Sequence, residues 1–348
     1  AFSLNSASAT TRSFKTKDLS LQGVTGRNVT VKHRDGLTEV GLDGARSEAA
    51  AIKDAKVRNA SADKFRFKDL PNSTAVTLEN LRADQVTKDG VIVNGVETPL
   101  AEIENTRAGL VIYADRSRVA KIDTGAAVLG SLNIGGVRVT IRQGRVEARS
   151  NDIDAGNVAL KKTTSLPDGG KLEAVKIARP VFILEPSGRY RATADMTLGG
   201  GLIGSVALGA ASAKVEANND SVLLNDLNAD VMDGKLNGNA MIALNDRGRS
   251  SLKGLFSDLD ISKLIALQGG SLTPIEGKTT GDIDLTFNGT NFRNASGTLN
   301  AAITANAGTA ERGLIPVNGD VRLTATNGLF NVDRADLNTE KSKLTATG

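Results

Sequence analysis

Apolar and polar residues alternate along most of this chain in short runs that break at turn-forming pairs. Ile283-Asp284-Leu285-Thr286-Phe287 runs into Asn288-Gly289, and Val137, Val139 and Ile141 alternate with Arg138, Thr140 and Arg142 before Gln143-Gly144. A period of two puts every apolar side chain on one face of a strand. Asp-Gly or Asn-Gly pairs begin at Asp35, Asp43, Asp89, Asn94, Asp168, Asp233, Asn237, Asn288, Asn318 and Asn327. Such pairs accept positive φ at both centres of a tight hairpin turn. The pattern therefore predicts antiparallel hairpins with one wet and one apolar face.

The strands divide by style. In the region 1–127 apolar-x-apolar steps recur, as in Asn28-Val-Thr-Val-Lys32, Lys64-Phe-Arg-Phe-Lys68 and Val91-Ile-Val-Asn94. Their spacing reads as uneven, a style of strand rather than a strict period. The Ala-rich Ser47–Lys56 is expected to be strand. The region 128–221 carries sharper hairpins, and 222–348 interrupts its strands with a helix. Asp260 is placed to cap that helix, Ile261, Leu264 and Ile265 form its apolar stripe, and Gly269-Gly270 ends it after Gln268. So short a helix must dock on the sheet, where it is expected to narrow one end of any groove.

Composition changes the picture in one respect. A chain of 348 residues would ordinarily hold two or more thick cores. This one has nine Phe, two Tyr and no Trp, and its apolar faces are Val, Leu, Ile and Ala. Large rings usually supply buried area, so thin, repetitive packing in one continuous elongated sheet is expected. The net charge of +4 is dispersed among 43 basic and 39 acidic residues and names no partner. No apolar run reaches the roughly 18 to 20 residues of a membrane helix. No charged-then-apolar leader opens the chain, which is expected to be an excerpt of a longer protein.

Candidate chemistry is sparse. Without cysteine there is no disulfide or thiolate metal site, and one histidine, His33, lies among charged residues. Gly199–Gly204 fits a dinucleotide fingerprint, yet the strand before it alternates instead of being buried on both faces, so a bend or linker is expected. Asp152-Ile-Asp154 lacks the remaining ligands of a calcium loop, and the pairs Asp258/Asp260 and Asp282/Asp284 read as solvated. No catalytic residue, metal or cofactor is assigned. Arg138, Arg142, Arg145 and Arg149 make a basic strip that could touch phosphates. Without interleaved aromatics, nucleic acid is not an expected partner.

The order of elements from 222 to 348 resembles the AsmA-like family, which includes the TamB and YhdP type envelope proteins. The strand pair Val222–Val231 and Gly234–Ile242, the strand into helix Phe256–Ile265, and Gly277-Lys-Thr-Thr-Gly-Asp-Ile-Asp-Leu285 carry the resemblance. Phe287-Asn-Gly289 and Ala295–Asn300 complete it. It implies a mainly β fold: an elongated, twisted antiparallel sheet curled into a taco-like groove with one or few short helices. It implies a non-enzymatic role carrying lipids between membranes, with phospholipid acyl chains in the groove. The setting would be the bacterial periplasm, with the parent anchored in the inner membrane by segments outside this chain and an outer-membrane protein as candidate partner. The expected groove-lining residues are Val137, Val139, Ile141, Leu236, Ile242, Ile283, Leu285, Phe287, Leu299, Ile303, Val321 and Leu323.

Physical reasoning reaches a similar place without the resemblance. A many-stranded sheet with one face of small aliphatic residues must fold onto itself or hold an apolar ligand. The alternatives are a secreted or surface β-solenoid of adhesin type, which would need parallel strands at regular spacing, and a hydrolase, which would need convergent carboxylates.

Overall fold

The computed structural model describes residues 1–15, 19–52, 55–163, 168–203, 206–245, 247–266, 275–289, 291–305 and 314–348. The fold is mainly β and dominantly antiparallel. The chain forms two units, one of residues 1–161 and 175–190, the other of 162–174 and 191–348.

The first unit opens with β1 (Phe2–Lys15), β2 (Leu19–Arg34), β3 (Leu37–Ile52), β4 (Ala55–Leu70), β5 (Ser73–Lys88) and β6 (Val91–Thr106). The five strands from β2 to β6 are 16 residues long and each starts 18 residues after the last. This corrects the expectation of uneven spacing. The repeat escapes a period-two search because its inward positions step by two and three in turn. In β6 they are Val91, Val93, Val96, Thr98, Ala101 and Ile103; in β4 they are Ala55, Val57, Ala60, Ala62, Phe65 and Phe67.

A single left-handed residue lies in the first three-step of β4 and of β6, where it re-phases the pleat without ending the strand. Gly23, Asn59 and Gly95 occupy the same place in β2, β4 and β6, with φ of 59°, 49° and 63°. Gly44 and Asn80 do so in β3 and β5, at 57° and 52°. Gly takes this region without penalty and Asn at lower cost than most residues, which suits both to these positions. Each kinked Asn is tied to a carboxylate on a neighbouring strand: Asn28 donates to Asp43 at 3.1 Å, Asn59 to Asp84 at 2.7 Å and Asn80 to Asp63 at 2.9 Å.

Beyond β6 the width is filled by two short strands end to end. Β6 pairs through Ala101–Thr106 with β7 (Gly109–Ala114) and through Ile92–Glu97 with β8 (Ser117–Asp123). One ladder continues from β7 to β10 (Val137–Arg142), β11 (Arg145–Arg149) and the second half of β13 (Gly170–Leu184). The other runs from β8 to β9 (Ala127–Gly135) and β12 (Asp152–Leu160).

The second unit holds β14 (Tyr190–Leu198), β15 (Gly200–Ile203), β16 (Val206–Asn218), β17 (Ser221–Val231), β18 (Gly234–Ala243) and β19 (Arg249–Asp260). Then come α1 (Ile261–Ala266), β20 (Ile275–Glu276), β21 (Lys278–Asn288), β22 (Asn291–Thr304), β23 (Ile315–Pro316), β24 (Asn318–Thr326), β25 (Leu329–Asn338) and β26 (Lys343–Ala346). Its strands pair in antiparallel ladders except β20 and β23, which pair parallel. Asp260 caps α1 as expected, its carboxylate accepting from the Ser262 amide at 2.9 Å and hydroxyl at 2.8 Å. The expected extension to Gln268, the stop at Gly269 and the side chains of Leu264 and Ile265 lie outside the described residues.

Turn chemistry is only partly as the sequence suggested. Asp35-Gly36, Asp89-Gly90 and Asn327-Gly328 have positive φ at both residues between paired strands. At Asp233-Gly234 the turn centres are Met232 and Asp233, with Gly234 already in β18. Four pairs lie inside strands: Asp43-Gly44, Asn94-Gly95, Asn237-Gly238 and Asn318-Gly319. Gly44 and Gly95 supply re-phasing kinks, whereas at Gly238 a Cβ would lie 2.1 Å from the Lys253 carbonyl oxygen.

Candidate functional site: a continuous apolar face

Cross-strand register assembles the apolar positions into long rows. In the first unit one row passes through Leu4, Val31, Val40, Phe67, Val76, Ile103, Ile112, Val139, Ala148 and Phe182. No polar residue interrupts it across ten strands, a distance of about 43 Å at 4.8 Å per strand. A second row runs Leu21, Ala50, Val57, Val86, Val93, Ile122, Leu129 and Val158. In the second unit a row runs Leu198, Ala211, Ala229, Leu236, Phe256, Gly281, Ala301, Val321, Ala335 and Ala346.

The face is greasy but thinly covered. Members of the first row between its ends are half-buried, while Leu4 and Phe182 at the ends are 55% and 37% exposed. The whole chain leaves 20579 Å² accessible. A compact monomer of this mass would expose about 13,000 Å², and two separate compact bodies of half the mass about 16,000 Å². The excess is that of sheet without a full second layer.

All twelve expected lining residues fall on strands, and the register brings them together within each unit. Val137, Val139 and Ile141 share one face of β10, opposite Ala114, Ile112 and Leu110 of β7. Ile283, Leu299 and Leu323 stand side by side in adjacent strands. Leu285 and Phe287 form a cluster with Ala295 and Ala325, against which Ile242 packs. Leu236 packs beside Phe256, and Val321 against Ile303 and Val317. They differ in depth. Leu285, Phe287 and Ile303 are buried, and the other nine are half-buried.

The helix sits where its first residue can serve the face. Ile261 is buried with Ile303 and Val317, and Ile275, Val321 and Leu337 pack around them. The Ile261 amide donates to the Gly277 carbonyl at 3.2 Å, and the Val317 amide to Glu276 at 2.9 Å. So α1, β20 and β23 form a small lid over one patch of the apolar face.

The opposite face is ionic. Lys64 meets Glu79 at 2.8 Å, Lys68 meets Glu39 at 3.1 Å and Arg66 meets Asp43 at 3.2 Å, all partly exposed. Such pairs fix little stability individually but keep this face wet. The Asn28 amide, and after it the Arg66 guanidinium, hold the Asp43 carboxyl below its ordinary value. The Lys263 ammonium does the same for Asp233, and Asp233 raises Lys263 in return.

The other motifs resolve into structure. Gly199 is a bend between β14 and β15, as expected, while Gly200–Ile203 is strand β15, paired on both sides, so the described part of this run is a bend and a ladder strand rather than a linker or a phosphate loop. At Gly201 a Cβ would lie 2.2 Å from the Lys171 carbonyl oxygen, which accounts for a glycine in the middle of a ladder. Asp152 meets Arg116 at 3.5 Å, Asp284 meets Lys253 at 3.0 Å, and Asp282 accepts from Asn300 at 2.9 Å. His33 Nδ1 lies 3.0 Å from the Thr38 hydroxyl, and its ring stacks on Phe2. Among the described residues no three His, Asp or Glu side chains gather as a metal site, and no helix is long and apolar enough to cross a membrane.

The rows, as distinct from their members, were missed in the sequence. The 18-residue strand repeat was the signal that could have found them. A comparison with family models finds no match, and comparisons with curated proteins and solved structures find none either.

Proposed function

We propose that this chain is part of a non-enzymatic lipid conduit of the cell envelope, its apolar face curled into a groove that holds phospholipid acyl chains. On this reading it is a member of the AsmA-like family and works in the bacterial periplasm, its parent anchored in the inner membrane. Outer-membrane maintenance is the process it serves, and an outer-membrane protein is a partner at its far end.

The observation that carries the reading is the set of unbroken apolar rows perpendicular to the strands. A closed core needs bulky partners on its second side, whereas a track for sliding chains needs aliphatic continuity and no polar stop. The inward positions of β6 span 13 residues, from Val91 to Ile103, about 40 Å of extended strand. That arc is broad enough to wrap the hydrocarbon of one leaflet, about 15 Å deep. The antiparallel pairing speaks against the solenoid adhesin, whose rungs are parallel.

Photo-crosslinking in bacterial cells tests the proposal. A crosslinking residue at position 139, on the apolar row, is expected to capture phospholipid, while one at position 138, on the opposite face, is not. Native mass spectrometry of the intact chain should show phospholipid adducts. Equal labelling at both positions, or a lipid-free mass and extract, overturns the conduit.

A further inference from the structure

We infer that four arginines at one lip of the first unit form a station for the anionic phosphate headgroup of a lipid whose chains lie on the adjoining apolar face; this rests on the conduit reading. In the ladder β6, β7, β10, β11, β13 three neighbouring connections lie at the same end. Arg107 is in the connection from β6 to β7, Arg142 and Arg145 flank the turn from β10 to β11, and Arg189 ends the one from β13 to β14. A Cβ on Gly109 would lie 2.8 Å from Arg142 Cγ, and one on Gly144 3.5 Å from Pro186 Cγ, so the connections abut. Arg142 and Arg145 are directly opposite each other. Like charges in that arrangement destabilise a hairpin, which asks for an anion between them.

One carboxylate answers. Arg145 meets Glu185 at 3.2 Å, and among the described residues Arg107, Arg142 and Arg189 have no acidic partner. Farther along the same lip Arg34 is neutralised by Asp35 at 2.9 Å.

The row beside this lip changes character at the same place. It runs His33, Thr38, Asp69, Thr74 and Asn105 through β2 to β6, then becomes Leu110, Ile141, Val146 and Leu184. Apolar row and lip arginines thus coincide, one residue apart at Ile141-Arg142 and Arg145-Val146, with a single carboxylate, Glu185, among them. An amphiphile with an anionic head fits that junction: acyl chain on the row, phosphate forked by guanidinium groups at the edge. Arg142 and Arg145 stand on the same ionic face of the hairpin as Arg138 and Arg149 but at its last position, beside the turn, whereas Arg149 lies farther in and is held by Glu147 at 2.6 Å.

The test compares full-length chain with its Arg107→Gln/Arg142→Gln/Arg145→Gln variant and the matching triple Lys variant. The probes are phosphatidylglycerol, diacylglycerol of the same chains, and inorganic phosphate. Wild type is expected to prefer phosphatidylglycerol over diacylglycerol by about tenfold, the worth of a charge-assisted contact. The Gln variant should lose that preference with diacylglycerol binding unchanged, and the Lys variant should keep most of it. If the Gln variant keeps the preference, the station is wrong while lipid carriage stands. If wild type binds neither lipid, carriage itself fails. If phosphate alone binds wild type as tightly as phosphatidylglycerol does, the arginines are a free-phosphate site and the inference is overturned.

Discussion

At the scale of single residues, the most consequential choices are the left-handed ones inside strands. Asn59 has φ of 49° and donates to Asp84 at 2.7 Å. Alanine there meets a left-handed penalty of about 1 to 2 kcal/mol and drops the hydrogen bond, whereas glycine drops only the bond. Asn59→Ala is therefore expected to lower the urea midpoint clearly more than Asn59→Gly; equal effects would show that the kink is not what Asn59 serves. Asp43 makes a second prediction. Its folded pKa is lowered from 3.8, first by the Asn28 amide and then by Arg66. A depressed carboxyl contributes stability above its unfolded pKa and loses it as pH falls through the folded one. Urea midpoints followed from about pH 5 to about pH 2 should fall less steeply in Asp43→Asn than in wild type. The effect is small because the group is solvated. A steeper fall in the variant would reverse the assigned sign.

At the scale of elements, what the sequence made legible was the class of each piece rather than its extent. Alternation at 137–149 and 279–288 located strands because period two is unbroken there. The 16-residue strands of the first unit read as fragments, since each left-handed residue shifts the phase and splits one strand into shorter runs. Asp43-Gly44 and Asn94-Gly95 looked like turns for the same reason: turn and in-strand kink demand the same backbone conformation. The helix was legible through its cap. Of the candidate site, the residues could be named but not their rows, because register between strands far apart in sequence leaves no local trace. Asp260 offers the test at this scale. Replacing it by Ala removes the acceptor for the Ser262 amide and should cost about 1 kcal/mol locally. Amide exchange is expected to rise in α1 and at Val317, whose neighbour is Ile261, while β10 and β11 stay as protected as before. A uniform rise along the chain would mean that the lid and the distant hairpin unfold as one.

For the molecule as a whole, the contrast between covered and uncovered apolar positions decides whether a groove or a sealed core is present. Val139 is half-buried between Ile112 and Ala148 of its neighbouring strands, whereas Phe287 is 2% exposed and packed among Leu285, Ala295 and Ala325. An unpaired carboxylate in a closed apolar site costs several kcal/mol, while one that reaches water costs far less. Val139→Asp should therefore leave the strand signal in circular dichroism and the melting transition nearly unchanged, yet abolish phospholipid adducts in native mass spectrometry. Phe287→Asp should lose several degrees or more of thermal stability. The two substitutions add the same charge to the same kind of strand face, so only the cover above each residue separates their outcomes. If Val139→Asp unfolds the chain as readily as Phe287→Asp, the first unit has a closed core, and the track loses the open side that loading and sliding require. If Val139→Asp folds and still carries lipid, the apolar row is not the path, and the continuity across ten strands serves the sheet alone.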